Sequence, residues 1–298
     1  MPVPSHKYFH AFKASLPAFL YLAFTTSLLF FVVFPHLSHS YLSGSFKISN
    51  PALSYGVNIS ISEIILFSII ALTTLIFALW DHKDAAFCGI PLNAFGLRHF
   101  CYGGILAFTG ALLLGVFEYC FGGFRISGLV WPLLTTGAII ALAAFWVFFV
   151  SLTEELWFRG YPLKKFEDSL GWWPAALITS CAFAACHMHN QNENYAEMVF
   201  LFLSGLILCG LRCLSGSLWL GIGAHAVADL AGIVLGTPGT NLSGSPIQIV
   251  YLTVSGSELI NGGDNGLMFS LPGIGMQFLL MIVPLFMFSR PFVKKFSA

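Results

Sequence analysis

Two glutamates, two histidines and one aspartate lie inside long apolar runs of this sequence. They are Glu154, Glu155, His187, His225 and Asp229. A charged side chain at the centre of a bilayer costs roughly 2.5–3.5 kcal/mol on insertion scales, so each needs a reason to be there. Because hydrocarbon offers no hydrogen-bond partner, we expect these groups to converge on one another. Such a cluster can provide general acids and bases or bind a metal ion.

Spacing gives the two adjacent glutamates different partners. Glu155 and Arg159 are four residues apart with the acid first, which is the favoured order for a helical ion pair. Successive helical residues point about 100° apart, so Glu154 faces another direction and has no local cation. This favours Glu154 as a general base. The alternative is a salt-bridge cluster that only holds the end of the helix.

The histidines lie on two later apolar runs, each with a companion four residues away. Phe183 and His187 share one helix face, and so do His225 and Asp229. At that spacing Asp229 could accept a hydrogen bond from His225 and fix its tautomer. A lone histidine in a membrane helix is more often a packing residue. Polar groups on three separate runs are harder to explain in that way.

The composition indicates the environment in which these groups act. The chain has 298 residues, of which 57% are hydrophobic and 9% charged, and its mean hydropathy is +0.83. A soluble domain carries roughly 25% charged residues, so the sequence predicts an integral membrane protein. The net charge of zero argues against a nucleic-acid partner. The seven cysteines are odd in number and show no Cys-x-x-Cys spacing, which favours buried thiols over disulfides or a zinc ribbon.

Apolar runs of about 20 residues predict an all-α bundle of about eight transmembrane helices around an intramembrane cavity. One membrane domain is expected over 1–298, with the motifs in 132–236. Glu63 and Glu118 are interpreted as carboxylates that reach the interface from near span ends. The segment 237–267, rich in Gly, Ser, Asn and Pro, is interpreted as a connecting loop, with a lid as the alternative. The predicted spans lie near 14–35, 60–80, 100–121, 132–158, 172–190, 196–213, 216–236 and 268–289.

The distribution of Lys and Arg predicts the orientation, because these residues favour the cytoplasmic side. With eight spans, eleven cations share one side with both termini, and only Lys47 and Arg125 lie on the other. Both termini are therefore predicted to be cytoplasmic. The eleven are Lys7, Lys13, Lys83, Arg98, Arg159, Lys164, Lys165, Arg212, Arg290, Lys294 and Lys295.

Three motifs in this order resemble the CAAX-protease and bacteriocin-processing family of intramembrane endopeptidases, which includes the type II CAAX prenyl endopeptidases. The family pattern is Glu-Glu-x-x-x-Arg, then Phe-x-x-x-His, then His-x-x-x-Asn or Asp. The matching residues here are Glu154, Glu155 and Arg159, then Phe183 and His187, then His225 and Asp229. The resemblance covers 132–236 and implies hydrolysis of a peptide bond in a membrane-associated protein or peptide.

The resemblance also implies a role for each matched residue. Glu154 with His187 would activate a water molecule, while His225 and Asp229 would stabilise the oxyanion. The supporting residues would be Glu155, Arg159 and Phe183. Asp229 departs from the best-understood members, which carry asparagine, and an ionised aspartate cannot donate to an oxyanion. Asp229 is therefore either protonated or serves only to orient His225.

A metal-dependent mechanism is the remaining chemical alternative. The expected cofactor is either none or one divalent metal ion such as zinc, held by His187, His225, Glu154 and Asp229. The His-Glu-x-x-His spacing of common zinc proteases is absent from the sequence, which favours the metal-independent reading. The competing functions are a non-catalytic immunity or scaffold protein of the same fold and, less favoured, a transporter with a proton relay. The expected partners are membrane lipids and a membrane-anchored substrate.

Overall fold

The apolar runs form long helices in the computed structural model, which describes residues 5–37, 46–188, 195–235, 247–263 and 266–288. The helices are α1 (Ser5–Leu28), α2 (Phe34–Leu37), α3 (Pro51–Trp80), α4 (Ala94–Cys120), α5 (Leu133–Glu154), α6 (Tyr161–Leu170), α7 (Trp172–His187), α8 (Tyr195–Ser215), α9 (Trp219–Leu235), α10 (Glu258–Asn261) and α11 (Leu271–Phe288). The strands are β1 (Phe124–Leu129) and β2 (Val250–Val254). Two π turns (Leu29–Val33 and Glu155–Gly160) and two 3-10 turns (Ala85–Cys88 and Leu267–Phe269) complete the described elements.

Each predicted span contains a helix in the part of it that the structure describes, and the chain is an all-α membrane bundle. Among the described residues, five helical stretches are long and apolar enough to cross a membrane, and two further apolar helices, within α9 and α11, are shorter. Helix α7 has 16 residues, fewer than the roughly 20 that a perpendicular span needs. The total of eight spans and the orientation of the termini therefore stay predictions. The five long stretches are Phe9–Leu37, Pro51–Trp80, Ala94–Cys120, Leu133–Leu170 and Glu197–Ser215.

The second span begins earlier than predicted, at Pro51 instead of near residue 60. The Asn50 side chain accepts a hydrogen bond from the Leu53 backbone N–H at 3.1 Å, and Pro51 occupies the first helical turn. This is a favourable helix start, because proline lacks the N–H that would otherwise be unsatisfied there. As a result Glu63 lies twelve residues into α3, about 18 Å from its start, and not near a span end.

Close backbone contact fixes α9 against α4. A Cβ atom on Gly103 would lie 2.0 Å from the Leu220 carbonyl oxygen, and one on Gly223 would lie 2.0 Å from the Phe100 carbonyl oxygen. Only glycine permits such an approach, which is a common device between membrane helices. Because His225 follows Gly223 by two residues, this contact sets the depth at which that histidine lies.

The core around the π turn Glu155–Gly160 is aromatic. Trp157 donates from Nε1 to Thr25 Oγ1 at 2.8 Å, which joins the π turn to α1. Phe158 contacts the Phe183 ring edge-on, with the ring centroids 5.4 Å apart. Tyr161 is fully buried at the start of α6. The segment that carries the acidic motif is thereby packed on several sides and held rigidly.

A small antiparallel sheet was not foreseen by the sequence analysis. Strand β1 pairs with β2, with Phe124 opposite Val254 and Leu129 opposite Val250. β2 lies within the segment interpreted as a connecting loop, and so does α10. The loop interpretation was therefore wrong for these residues. Residues 237–246 and 264–265 of that segment lie outside the described part of the chain.

Candidate active site

A local change of helix geometry presents the acidic motif. Helix α5 ends at Glu154, and Glu155 begins the π turn that runs to Gly160. Pro162 follows directly, in the first turn of α6. Because proline has no N–H and its ring clashes with the carbonyl four residues earlier, the α-helical ladder cannot continue through it. We attribute the wider turn to this proline; single π turns are frequent at functional sites.

Glu155 and Arg159 form the predicted ion pair in the interior of the bundle. Arg159 Nη1 donates to Glu155 Oε1 at 3.1 Å, and both side chains are 0% exposed. The Arg159 guanidinium also lies over the Phe183 ring, 4.2 Å from its centroid. Two glycines leave room for the pair, because a Cβ on Gly221 would lie 3.1 Å from Glu155 Oε2 and one on Gly205 would lie 3.1 Å from Arg159 Nη2. Arg159 therefore belongs to the interior and not to the loop cations with which it was counted.

His225 is held between carboxylates on both of its ring nitrogens. Its Nδ1 is 3.2 Å from Glu155 Oε1, within hydrogen-bond distance. Its Nε2 is 3.6 Å from Glu154 Oε2 and 3.6 Å from Asp229 Oδ2. The carboxylate that orients the ring by a hydrogen bond is therefore Glu155, whereas the spacing had suggested Asp229. Asp229 instead faces the same ring edge as Glu154.

His187 approaches Glu154 from α7. Its Nδ1 hydrogen-bonds the Phe183 carbonyl oxygen at 2.9 Å, and since a carbonyl only accepts, Nδ1 carries the proton. Its Nε2 then points to Glu154 Oε1 at 3.7 Å. The Phe183 ring packs beside the imidazole, with the centroids 4.7 Å apart. The two oxygens of Glu154 therefore face two different histidines.

The structure thus brings together all four residues that the sequence predicted as catalytic. The side chains of Glu154 and His187 are each 20% exposed, that of His225 is 11% exposed and that of Asp229 is 31% exposed. These four are accessible, whereas the Glu155–Arg159 pair behind them is sealed. The site therefore consists of four partly exposed acid and base groups that lie in front of a buried ion pair. It can position a polar reactant between Glu154 and the two imidazoles.

The predicted metal ligands were tested by their geometry. Within the described residues, no group of three or more His, Cys, Asp or Glu side chains has an arrangement that could hold a metal ion. The nearest nitrogen and oxygen atoms of His187, Glu154, His225 and Asp229 lie 3.6–3.7 Å apart. We therefore derive no step through a metal ion, and metal dependence stays a prediction for experiment.

Sequence reasoning missed one residue beside the site and misplaced another. Glu63 of α3, interpreted as interfacial, is close enough to Glu154 for their charges to interact. The sequence feature that could have indicated this is the helix start at Asn50-Pro51, because it places Glu63 twelve residues into α3. Glu118 was also interpreted as interfacial, but it is buried and accepts a hydrogen bond from Ser270 at 2.6 Å. Glu118 therefore ties α4 to the start of α11 and lies outside the site.

A comparison with known protein families finds a match over this part of the chain. Residues 136–231 match the family model described as Type II CAAX prenyl endopeptidase Rce1-like. This region is similar to that family. It contains every residue of the three motifs and of the cluster described above. The match supports a CAAX-type intramembrane protease at the level of the family.

A curated relative shares part of the chain. An uncharacterised 24.3 kDa protein of Escherichia coli is 40% identical over 87 residues, which cover 28% of this chain. The chain spans 39% of the length of that relative. The relative's description names no substrate, so the activity and substrate of this region are matters for proposal.

Proposed function

We propose that the protein is an intramembrane endopeptidase that hydrolyses a peptide bond in a membrane-associated protein or peptide. The observation that carries the proposal is the position of Glu154, whose side chain is partly exposed and whose two carboxylate oxygens face His187 and His225. A general base must lie within reach of the proton it removes, directly or through one water molecule. Separations of 3.6–3.7 Å are too long for direct hydrogen bonds and suit a bridging reactant.

The attacking water would lie between Glu154 and His187. With its proton on Nδ1, neutral His187 has a lone pair on Nε2 and accepts a hydrogen bond from the water. Glu154 accepts the second hydrogen and removes it as the water oxygen attacks the scissile carbonyl. The proton is then returned to the leaving amine. General-base catalysis of this kind typically contributes a factor of about 10²–10⁴ in rate.

The tetrahedral oxyanion would be stabilised by His225. Its Nδ1 is engaged by Glu155, which leaves Nε2 as the ring edge that faces the reaction. In the doubly protonated form Nε2–H donates to the oxyanion, while the sealed Glu155–Arg159 pair keeps the ring in place. One preorganised donor of this type is commonly worth about 2.7–4 kcal/mol in the barrier.

Asp229 would assist on the same edge of His225. An ionised carboxylate repels an oxyanion, so we propose that Asp229 carries a proton when the oxyanion forms and donates it as a hydrogen bond. Asp229→Asn would then retain activity within about threefold, because an amide donates without needing a proton. Asp229→Leu should lower the rate by about tenfold or more. Equal, large losses in both variants would contradict the donor role.

The proposal is tested by a search for an uncleaved precursor. Membranes from cells that express the wild type, Glu154→Gln or His187→Ala are compared by quantitative proteomics, with Glu258→Gln as the matched control because Glu258 is exposed and remote from the motifs. Expression and insertion are verified for each variant. A precursor should accumulate with the two site variants and not with Glu258→Gln. If both site variants process every membrane protein as the wild type does, the chain is not a protease and the scaffold or immunity role gains support.

The same membranes decide the question of a metal ion. Cleavage of the precursor is followed after treatment with a strong chelator and after addition of zinc. The proposed mechanism predicts less than a twofold change in either case. A complete loss that zinc restores would replace it with a metal-dependent mechanism on the same residues.

A further inference from the structure

A cavity lies beside α6, against Leu163, Lys164 and Glu167. It has a volume of about 340 Å³, and Arg212, Lys164, Glu167, Trp172 and Phe87 line it. Lys164 is ten residues from Glu154, about 15 Å along the helices. The cavity is therefore separate from the candidate active site. It lies where the chain places several lysines, at the end of the bundle predicted to be cytoplasmic.

The guanidinium of Arg212 is built into the wall of this cavity. It packs against the backbone of Gly89, where a Cβ atom would lie 2.5 Å from Arg212 Cζ. Gly89 has a φ of +79°, which an L side chain rarely adopts, so both conformation and space require glycine there. The contact holds the guanidinium in place, so a ligand would not need to order a free side chain.

Of the two basic side chains that line the cavity, Arg212 is the one with no carboxylate partner among the described residues. Lys164 is neutralised, because its Nζ lies 2.6 Å from Asp168 Oδ1 and 3.3 Å from Glu167 Oε2. Within the described ranges no carboxylate oxygen lies within 4 Å of Arg212, although Glu167 attracts it over a longer distance. The Arg212 Nε atom is buried and has no hydrogen-bond partner among the described residues. A buried donor without a partner costs roughly 1–3 kcal/mol, so the described residues around the guanidinium leave its hydrogen-bonding capacity partly unused.

The remaining surroundings suit the level of lipid headgroups. Trp172 begins α7, and tryptophan is enriched where the membrane meets water. Lys83 lies over the ring of Phe87, one of the residues that line the cavity, 5.1 Å from its centroid. The anion most abundant at this depth is the phosphate of a lipid, and a guanidinium matches phosphate oxygens with a pair of parallel hydrogen bonds.

We propose that this cavity binds a phosphate group through Arg212, supplied by an anionic lipid headgroup or by free phosphate. Glu167 would weaken the binding, because its carboxylate faces the same space. The site is independent of peptide hydrolysis, so it can be tested by binding alone.

The full-length protein is purified in a neutral detergent and examined by native mass spectrometry and by thermal unfolding. The probes are phosphatidylglycerol, phosphatidylcholine and inorganic phosphate, each added alone. The variants are Arg212→Gln and Glu167→Gln, with Arg98→Gln as the matched control because Arg98 is an exposed arginine outside the cavity.

The wild type and Arg98→Gln should retain phosphatidylglycerol, and Arg212→Gln should bind it at least about tenfold more weakly, the loss expected for a charged hydrogen bond. Glu167→Gln should bind it about threefold more tightly. A lipid source predicts stabilisation by phosphatidylglycerol well above that by phosphatidylcholine. A matching stabilisation by inorganic phosphate would identify free phosphate as the source and still support the site.

Two results would overturn the proposal. The first is equal retention of phosphatidylglycerol and phosphate by the wild type and Arg212→Gln. If Arg212→Gln does not fold, Glu167→Gln decides the matter, since binding that is unchanged or weaker contradicts competition at Arg212. Neither result depends on the Glu154→Gln experiment, so this proposal and the proposed protease activity can fail separately.

Discussion

The buried Glu155–Arg159 pair makes a quantitative prediction about stability. Both side chains are 0% exposed and their charged atoms are 3.1 Å apart. At an effective dielectric constant of 20, two unit charges at that distance attract by roughly 5 kcal/mol. Removing one partner from a buried pair costs about 3–5 kcal/mol, because the other charge stays in the interior without compensation. Glu155→Gln should therefore lower the free energy of unfolding by about 3–5 kcal/mol.

Arg159→Met should cost less than Glu155→Gln. The carboxylate of Glu155 keeps His225 as a partner at 3.2 Å. Without Glu155, Arg159 keeps the rings of Phe183 and Phe158 but no carboxylate within 4 Å among the described residues. The double variant Glu155→Gln with Arg159→Met contains no orphan charge. Its loss should be smaller than the sum of the two single losses by about 2–3 kcal/mol, the upper range of measured coupling energies.

The assay is reversible unfolding of the purified protein in mixed micelles of neutral and denaturing detergent. The matched control is the exposed pair Lys164–Asp168, whose charged atoms lie 2.6 Å apart. Its coupling energy should be about 0.5 kcal/mol or less, since solvent screens an exposed helical pair. The reasoning is refuted if Glu155→Gln unfolds within about 1 kcal/mol of the wild type, or if the losses of the two single variants simply add.

Three further predictions concern packing and reactivity. Gly223→Ala should destabilise the bundle by about 2 kcal/mol or more in the same unfolding assay, because the new Cβ would lie 2.0 Å from a backbone oxygen of α4. The control is Gly137→Ala, where a Cβ meets nothing within 4 Å, and it should be neutral or stabilising. Ser270→Ala should cost about 1–3 kcal/mol, because it removes the donor to buried Glu118, and a smaller loss would contradict that tie. Burial raises the pKa of the Cys88 thiol to about 11. At pH 8 maleimide should therefore label Cys88 only after denaturation, and labelling of the folded protein should increase as the pH approaches 11. Rapid labelling of the folded protein at pH 8 would contradict this.

The motif spacings predicted the contacts that arise within one helix. The pairing of Glu155 with Arg159 and the shared face of Phe183 and His187 both follow from helical periodicity alone. The π turn could also have been anticipated, because Pro162 interrupts an otherwise continuous apolar helix.

Contacts between helices depend on their relative depth, which no spacing reveals. The hydrogen bond from His225 to Glu155, and not to Asp229, results from the backbone contact of α9 with α4 at Gly223. The proximity of Glu63 to Glu154 depends on how far α3 extends before its cap at Asn50. The spacing of charged residues along the sequence indicated neither of these two contacts.

The β1–β2 sheet was missed for a related reason. Its strands are five and six residues long and are separated by more than 100 residues of chain. Short strands at the ends of spans resemble connecting loops in composition, and their pairing is decided by the helices that bring them together.

The most direct test of the central claim is the rate at which reconstituted protein cleaves its precursor. The wild type, Glu154→Gln and Glu258→Gln are placed in vesicles at equal amounts, and the new carboxyl terminus is quantified by mass spectrometry in water enriched in ¹⁸O. We predict one ¹⁸O atom in each new carboxylate for the wild type and Glu258→Gln, and a rate lower by about 10²–10⁴ for Glu154→Gln. Cleavage by Glu154→Gln at the wild-type rate would contradict the assignment of Glu154 as the base that activates water.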